Sequence, residues 1–380
     1  MIYCSCMGQP NDIGNWKTER GNNQRTNYVD TNITRKEPEI KWKKKIALAN
    51  TPVVADGIVY FSDEDSYFYA LDIQSENELW KIKTESPVSR TVIDDNDIIY
   101  LAERKKIFAL ERKTGKLVWK KEDMSSMDLK VQDNLIYIRS YFKSEKGNDH
   151  LIALDTKTGN EVWRFSDSSY LDIPIINNGI LYISGIYQSK LHALNAQTGT
   201  ELWSIDNQHR GNLIVTEGKI LLFSSYVVYA LDEKNGTELW RYKLDNYCTI
   251  LGASNKVVYI ASRNSISQIV EIHTLNIQTG ETELIKKYES ADLFTFAAAS
   301  DDTVVFGINS LKEDLSGSAI LYALNPQNGD EIWSKKLDDV LINPEIIILN
   351  NMIMFKTGQM KGLWNLTQDE YDGDYLYLLK

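Results

Sequence analysis

The chain has 380 residues, 43% of them hydrophobic, and a net charge of −11. That is ample material for a core, and the acidic balance argues against nucleic acid as a main partner, because neutralising phosphates takes a basic surface. Three cysteines exclude a disulfide framework, and no apolar run approaches the length of a membrane-spanning helix.

The N-terminus, Met1 to Cys6, has neither a basic start nor an apolar stretch long enough for a secretion signal. A cysteine followed by a polar tether (Met7 to Asn15) is nonetheless how a mature lipoprotein begins. The expectation is a truncated precursor with Cys4 or Cys6 as the lipidated residue, and the alternative is a cytoplasmic protein with a frayed end. Cys4-x-Cys6 lacks the second ligand pair of a metal site. Residues 1–38 are read as tether and leader. Within the leader, Trp16, Arg25 and Tyr28 either strap one end of the domain that follows or form a loose arm.

From residue 39 to 380 the sequence repeats itself. Ala153-Leu154-Asp155, Thr158-Gly159 and Trp163 form a word that returns as Ala109…Gly115…Trp119, Ala193…Gly199…Trp203, Ala230…Gly236…Trp240 and Ala323…Gly329…Trp333. Two copies are worn. Ala70-Leu71-Asp72 lacks the glycine before Trp80, and Thr274-Leu275-Asn276 runs on to Leu284-Ile285 where a Trp belongs. From Trp42 the Trp-to-Trp intervals are 38, 39, 44, 40 and 37, then a double interval of 93 to Trp333. A period of about 40 fits four short strands with their turns, one propeller blade.

Val, Ile, Tyr and Leu alternate between turn pairs such as Asp56-Gly57, Asp133-Asn134, Asn178-Gly179 and Glu217-Gly218, and no stretch holds a helical period. Trp42, Trp80, Trp119, Trp163, Trp203, Trp240 and Trp333 are expected to dock each blade on the next, with the small Ala leaving room for them. Seven complete words are followed by Tyr375–Leu379, a third strand that stops before any Gly or Trp. Ile40–Ile46 is a fourth strand with no strands before it, and its lysines, Lys41 to Lys45, are read as a solvent face rather than a polyanion site. The two halves complete one blade. The expected fold is all-β: an eight-bladed β-propeller of four-stranded antiparallel blades, closed by strand 40–46 beside the C-terminal strand.

The repeated Ala-Leu-Asp-x-x-Thr-Gly-x-x-x-Trp word resembles the pyrroloquinoline-quinone-type β-propeller repeat. That repeat builds the eight-bladed quinoprotein alcohol dehydrogenases and the non-catalytic lipoprotein of the outer-membrane barrel-assembly machinery. Trp16…Arg20-Gly21-Asn22-Asn23-Gln24-Arg25-Thr26…Tyr28 is similar to the short leader that precedes such propellers. The enzymatic members are much longer, hold a quinone over the channel with calcium, use an acidic base, and many set adjacent cysteines against the cofactor. No Cys-Cys pair or matching acidic motif is present here, so the resemblance implies the lipoprotein side rather than the dehydrogenases.

Long connections between second and third strands follow Tyr141, Ser262, Asn309 and Thr357, and His209-Arg210 lies in the most polar blade-to-blade connection. In an antiparallel meander both kinds of connection emerge on one face. Long loops on a rigid scaffold are where binding is built. The candidate partner-binding residues are therefore Trp364, Tyr371, His209, Arg210 and Tyr141.

For catalysis the sequence offers little. His150, His192 and His273 sit in different blades, His209 stands alone, and no nucleophile elbow or phosphate loop occurs. Asp63-Glu64-Asp65 lacks the glycine and distal carboxylate of a calcium loop and reads as a solvated turn. Cys248 reads as buried packing at the start of an inner strand. The reading is a monomeric, non-catalytic scaffold with no cofactor and no metal, binding a protein partner. It faces the periplasm and meets the membrane only through a lipid anchor. The rival is an enzyme or receptor that uses the channel for a quinone, a sugar or a metal, with Arg90, Lys130 and Asp172 as its inner-strand candidates.

Overall fold

Each Ala-Leu-Asp word forms the end of a third strand whose Ala faces the Trp of the fourth. Ala70 pairs with Trp80, Ala109 with Trp119, Ala153 with Trp163, Ala193 with Trp203, Ala230 with Trp240 and Ala323 with Trp333. In every case a bulge follows the Ala, so the next Leu pairs two residues before the Trp. A large indole opposite a methyl side chain leaves the ring free to cover the neighbouring blade.

The computed structural model describes residues 15–380 apart from 19, 29–32, 125, 142–148, 168–170, 186–188, 208–212, 225, 265, 268, 290–292, 295–297, 301, 312–316, 339–340 and 359–374. Blade 1 consists of Val53–Ala55, Ile58–Ser62, Tyr67–Asp72 and Glu78–Lys83, paired antiparallel in chain order. The same meander recurs through blade 7, whose fourth strand is Glu331–Asp338. Blade 8 joins Leu341–Leu349, Met352–Gly358 and Tyr375–Leu379 to the N-terminal Ile40–Lys45. Trp42 pairs with Leu378 and Lys45 with Tyr375, while Glu39 and Lys380 exchange two backbone hydrogen bonds of 2.9 Å. The fold is an all-β, eight-bladed propeller with its N-terminal strand paired into the C-terminal blade.

First strands of successive blades contact one another and so ring the axis. Fourth strands are outermost; in Glu78–Lys83 and Leu117–Glu122 every residue except the alternate Trp, Ile or Lys positions is exposed. The core is a set of seams rather than one centre. One apolar cluster joins blades 1 and 2 through Val53, Phe68, Ile99 and Leu101; another joins blades 5 and 6 through Leu221, Trp240, Ile250 and Ile260.

At five seams the indole Nε1 donates to the carbonyl just past the next blade's Leu-Asp, Leu-Glu or Leu-Asn pair. Trp42 bonds to Ile73 at 3.0 Å, Trp80 to Arg112 at 3.1 Å, Trp119 to Thr156 at 2.8 Å, Trp163 to Ala196 at 3.0 Å and Trp240 to Ile277 at 3.1 Å. Trp203 lies against Gly236 of the next word. Trp333 bonds to Thr34 of the leader at 2.9 Å. In the worn first word, Glu76 adopts the left-handed turn (φ 61°) where other copies have glycine.

Two inner strands depart from the regular meander. In blade 7, Leu293–Phe294 and Ala298–Ala299 both pair with Val304–Leu311. The inner chain advances four residues, from Phe294 to Ala298, while its partner advances three, from Ile308 to Val305. In blade 8 the register shifts between Ile342 and Ile346, across Pro344. An extra residue, or a proline without its N–H, breaks the ladder locally and bends the strand.

Candidate functional site: the strapped channel

The leader is a strap. Trp16 and Val54 exchange backbone hydrogen bonds of 2.8 Å in blade 1, and Ile93 of blade 2 donates to the Lys17 carbonyl at 3.0 Å. Asn23 Nδ2 donates to Val131 of blade 3 at 2.9 Å. Ile176, Val215, Ala253 and Ala299 of blades 4 to 7 donate in turn to the carbonyls of Asn23, Gln24, Thr26 and Asn27. Twelve residues of chain, Trp16 to Asn27, thus visit seven inner strands in order, each near its downstream end. That end carries the first-to-second and third-to-fourth turns. The second-to-third and blade-to-blade connections emerge opposite. Trp16 is fully buried, and Arg20, Arg25 and Asn27 are buried with positive φ, so the strap is packed and not draped.

Charged groups gather inside the channel on blades 2 to 4. Asp128 is 2% exposed; Arg90 Nε donates to its Oδ1 at 3.2 Å and Arg139 Nε to its Oδ2 at 3.0 Å. Arg139 also donates to the Leu171 carbonyl. Lys130, equally buried, donates to Thr18 of the strap at 3.2 Å. Burial raises the Asp172 carboxyl above the ordinary carboxylate range, while Arg25 and Arg139 pull it back down. Of the channel candidates chosen from the sequence, Lys130 bonds to the strap, while Arg90 and Asp172 share one charge network. Asp128 and Arg139, which link them, were missed. Their signal was a charge inside an apolar strand run, Met127-Asp128-Leu129 and Ile138-Arg139-Ser140.

Of the rim candidates, Trp364, Tyr371, His209 and Arg210 lie outside the described residues, as do Cys4 and Cys6. Tyr141 ends the second strand of blade 3 and pairs with Asp149; its side chain is outside the described set. His150, His192 and His273 remain apart and serve locally. His150 meets Ser166 at 2.6 Å, His192 meets Glu201 at 2.6 Å and His273 meets Ser262 at 3.1 Å. Asp63 closes its own turn, accepting from the Tyr67 N–H at 2.8 Å and the Tyr69 hydroxyl at 2.7 Å. Cys248 is buried in the inner strand Tyr247–Ala253, which pushes its thiol up to about 11.

A family profile described as "Outer membrane protein assembly factor BamB" matches residues 20–82, 74–188 and 187–346. The chain belongs to this family. Its solved neighbours carry different activities. BamB from Moraxella catarrhalis is 14% identical, with a TM-score of 0.65 over 90% of this chain and 100% of that one. Quinohemoprotein alcohol dehydrogenase from Comamonas testosteroni is 14% identical, with a TM-score of 0.69 over 97% of this chain and 80% of that one. The computationally designed Ika8 protein is also 14% identical, with a TM-score of 0.66 over 89% and 98%. At such identities the likeness shows the fold alone, and it is no stronger on the BamB side than on the dehydrogenase side. No curated protein matches.

The calcium that the dehydrogenase resemblance implies would need oxygen donors from the channel. Calcium takes six to eight oxygen ligands. Here Asp128 is held by Arg90 and Arg139, and Asp172 lies in the field of Arg139 and Arg25, so the described channel carboxylates do not fit that ion. Among the described residues no group of three or more His, Cys, Asp or Glu is arranged to hold a metal, and no helix is long and apolar enough to cross a membrane.

Proposed function

We propose that this BamB-family propeller is a non-catalytic scaffold, placed at the cell envelope, that binds a protein partner through its loop-rich face. The observation behind this reading is the strap. It occupies the turn-bearing face by bonding to seven inner strands, which leaves the opposite face, with its long connections, as the broad accessible one. The channel charges support the same reading, because Asp128, Arg90 and Arg139 bind one another. Anchoring through Cys4 or Cys6 belongs to this proposal, and the intact mass of the N-terminal peptide from the envelope fraction tests it.

The decisive experiment is site-specific photo-crosslinking in cells from positions 364 and 371, with position 81 on the outer strand as control. A discrete cross-linked partner from the loop positions and none from position 81 is expected. No cross-link from either loop position would remove the scaffold reading. A channel receptor or enzyme is the second reading, favoured by the network that joins Arg90 and Asp172 through Asp128 and Arg139. It predicts that Arg90→Ala abolishes the cellular phenotype while Trp364→Ala leaves it intact.

A further inference from the structure

A groove of about 570 Å³ lies on the strapped face, opposite the long loops. The leader forms one wall, and the turns of blades 4, 5 and 6 form the other. Its size falls in the range of small-molecule sites, ~300–1,000 Å³. Among the described residues its lining is polar but nearly uncharged: side-chain amides and hydroxyls predominate, with the Tyr28 ring, a single carboxylate (Glu217) and no lysine or arginine.

Turn formation explains part of this lining. Asn178 and Glu217 hold positive φ, which such residues tolerate. It does not explain Gln24, Asn177 or Tyr28, which stand outside those turns. Gln24 Nε2 donates to Asn177 Oδ1 at 3.2 Å, and Asn177 Nδ2 donates to Glu233 Oε1 at 2.7 Å. The buried Tyr182 hydroxyl donates to that same oxygen at 3.0 Å. Within the leader, Asn22 Nδ2 donates to Thr26 Oγ1 at 2.6 Å and Asn22 Oδ1 accepts from the Thr26 N–H at 3.0 Å. These bonds set the amide planes before any ligand arrives, and each amide offers both donors and acceptors.

We propose that this groove binds a neutral oligosaccharide. Vicinal hydroxyls both give and accept hydrogen bonds, which suits oriented amides, and the C–H face of a pyranose suits the negative face of an aromatic ring. A phosphate or carboxylate ligand would call for the cationic side chains that the lining lacks. An apolar ligand would call for an apolar wall. This inference stands apart from the scaffold reading, since it concerns the other face and needs no protein partner.

Saturation-transfer NMR on the full chain with maltotriose, cellotriose and chitotriose tests it. Transfer to at least one sugar is expected, with affinity in the millimolar range. Gln24→Leu and Asn255→Ala should each weaken binding by about tenfold, the loss of one or two well-made hydrogen bonds. Asn255 is an exposed groove residue, so its variant should keep the native circular dichroism and thermal midpoint. Absence of transfer to all three sugars, or equal transfer to wild type and a folded Asn255→Ala variant, would overturn the proposal.

Discussion

At Gly199 the backbone turns with φ 70°, and a Cβ there would lie 2.7 Å from the Trp163 ring. Gly179 has φ 75° but open space around it. Gly199→Ala is expected to lose roughly 2–4 kcal/mol, combining left-handed strain with overpacking, and Gly179→Ala only about 1 kcal/mol from strain. Urea denaturation should separate the two; equal losses would mean that the indole moves aside at little cost. Acid should weaken the fold through its turn carboxylates. Asp72 is held below the usual range chiefly by the Ser75 N–H, Asp155 chiefly by the Thr158 hydroxyl, and Asp97 falls to about 2 beside Lys113 and Arg112. A depressed carboxylate adds stability that is present above its unfolded pKa, about 3.9, and is lost as pH falls through its folded value. Stability should therefore drop below about pH 4, and Asp155→Asn should flatten that slope in denaturation midpoints measured from pH 6 to pH 2.5. The raised, buried Cys248 thiol should stay unalkylated by iodoacetamide at pH 8 in the native protein and react once urea is added.

The strap makes its own prediction at the level of an element. The amides of Ile93, Ile176, Val215, Ala253 and Ala299 have leader carbonyls as partners, on the inner edges of their sheets. Deleting residues 1–28 should speed hydrogen exchange at these amides far more than at second-strand amides such as Tyr100 or Tyr182, which remain paired on both sides. Trp16→Ala should cost about 3–5 kcal/mol, the usual loss for a fully buried large aromatic. If exchange rose evenly over all strands, the strap would be a global stabiliser without any local role. Leader residues 34–37 act at another seam: Trp333 donates to Thr34, and Lys335 pairs with Glu37 at 3.2 Å.

For the whole molecule, closure is the decisive feature. Strands 40–45 and 375–379 come from opposite ends of the chain, yet keep the register and bulge of the continuous blades. A chain cut before Tyr375 would leave Met352–Gly358 and Ile40–Lys45 with unpaired edges, and such edges recruit other strands. The expected outcome is concentration-dependent association, read by light scattering, where the intact chain stays monodisperse. The lysines along Ile40–Lys45 and the other outer strands oppose edge-to-edge pairing on the circumference.

Blade number, strand order and the pairing of Trp with Ala were legible in the sequence because each depends on neighbours within about 40 residues, and closure because the incomplete units at the two ends complete one blade. Strand alternation has a period of two, turn residues declare positive φ, and most seams repeat the same chemistry, so one blade teaches the next. The broken inner strand of blade 7 was not legible, since a one-residue bulge leaves no compositional mark. Nor was the choice between strap and arm, because the leader occurs once and its partners Val54, Ile93, Ala253 and Ala299 are scattered over the whole chain. The channel cluster was half legible: Arg90, Lys130 and Asp172 stood out as charges in inner strands, but the joining of Arg90 to Asp172 through Asp128 and Arg139 is a property of the ring. Local sequence determined the blades, whereas only ring closure brought residues from separate blades to one axis and laid the leader across them, because those contacts depend on long-range geometry that no local period encodes.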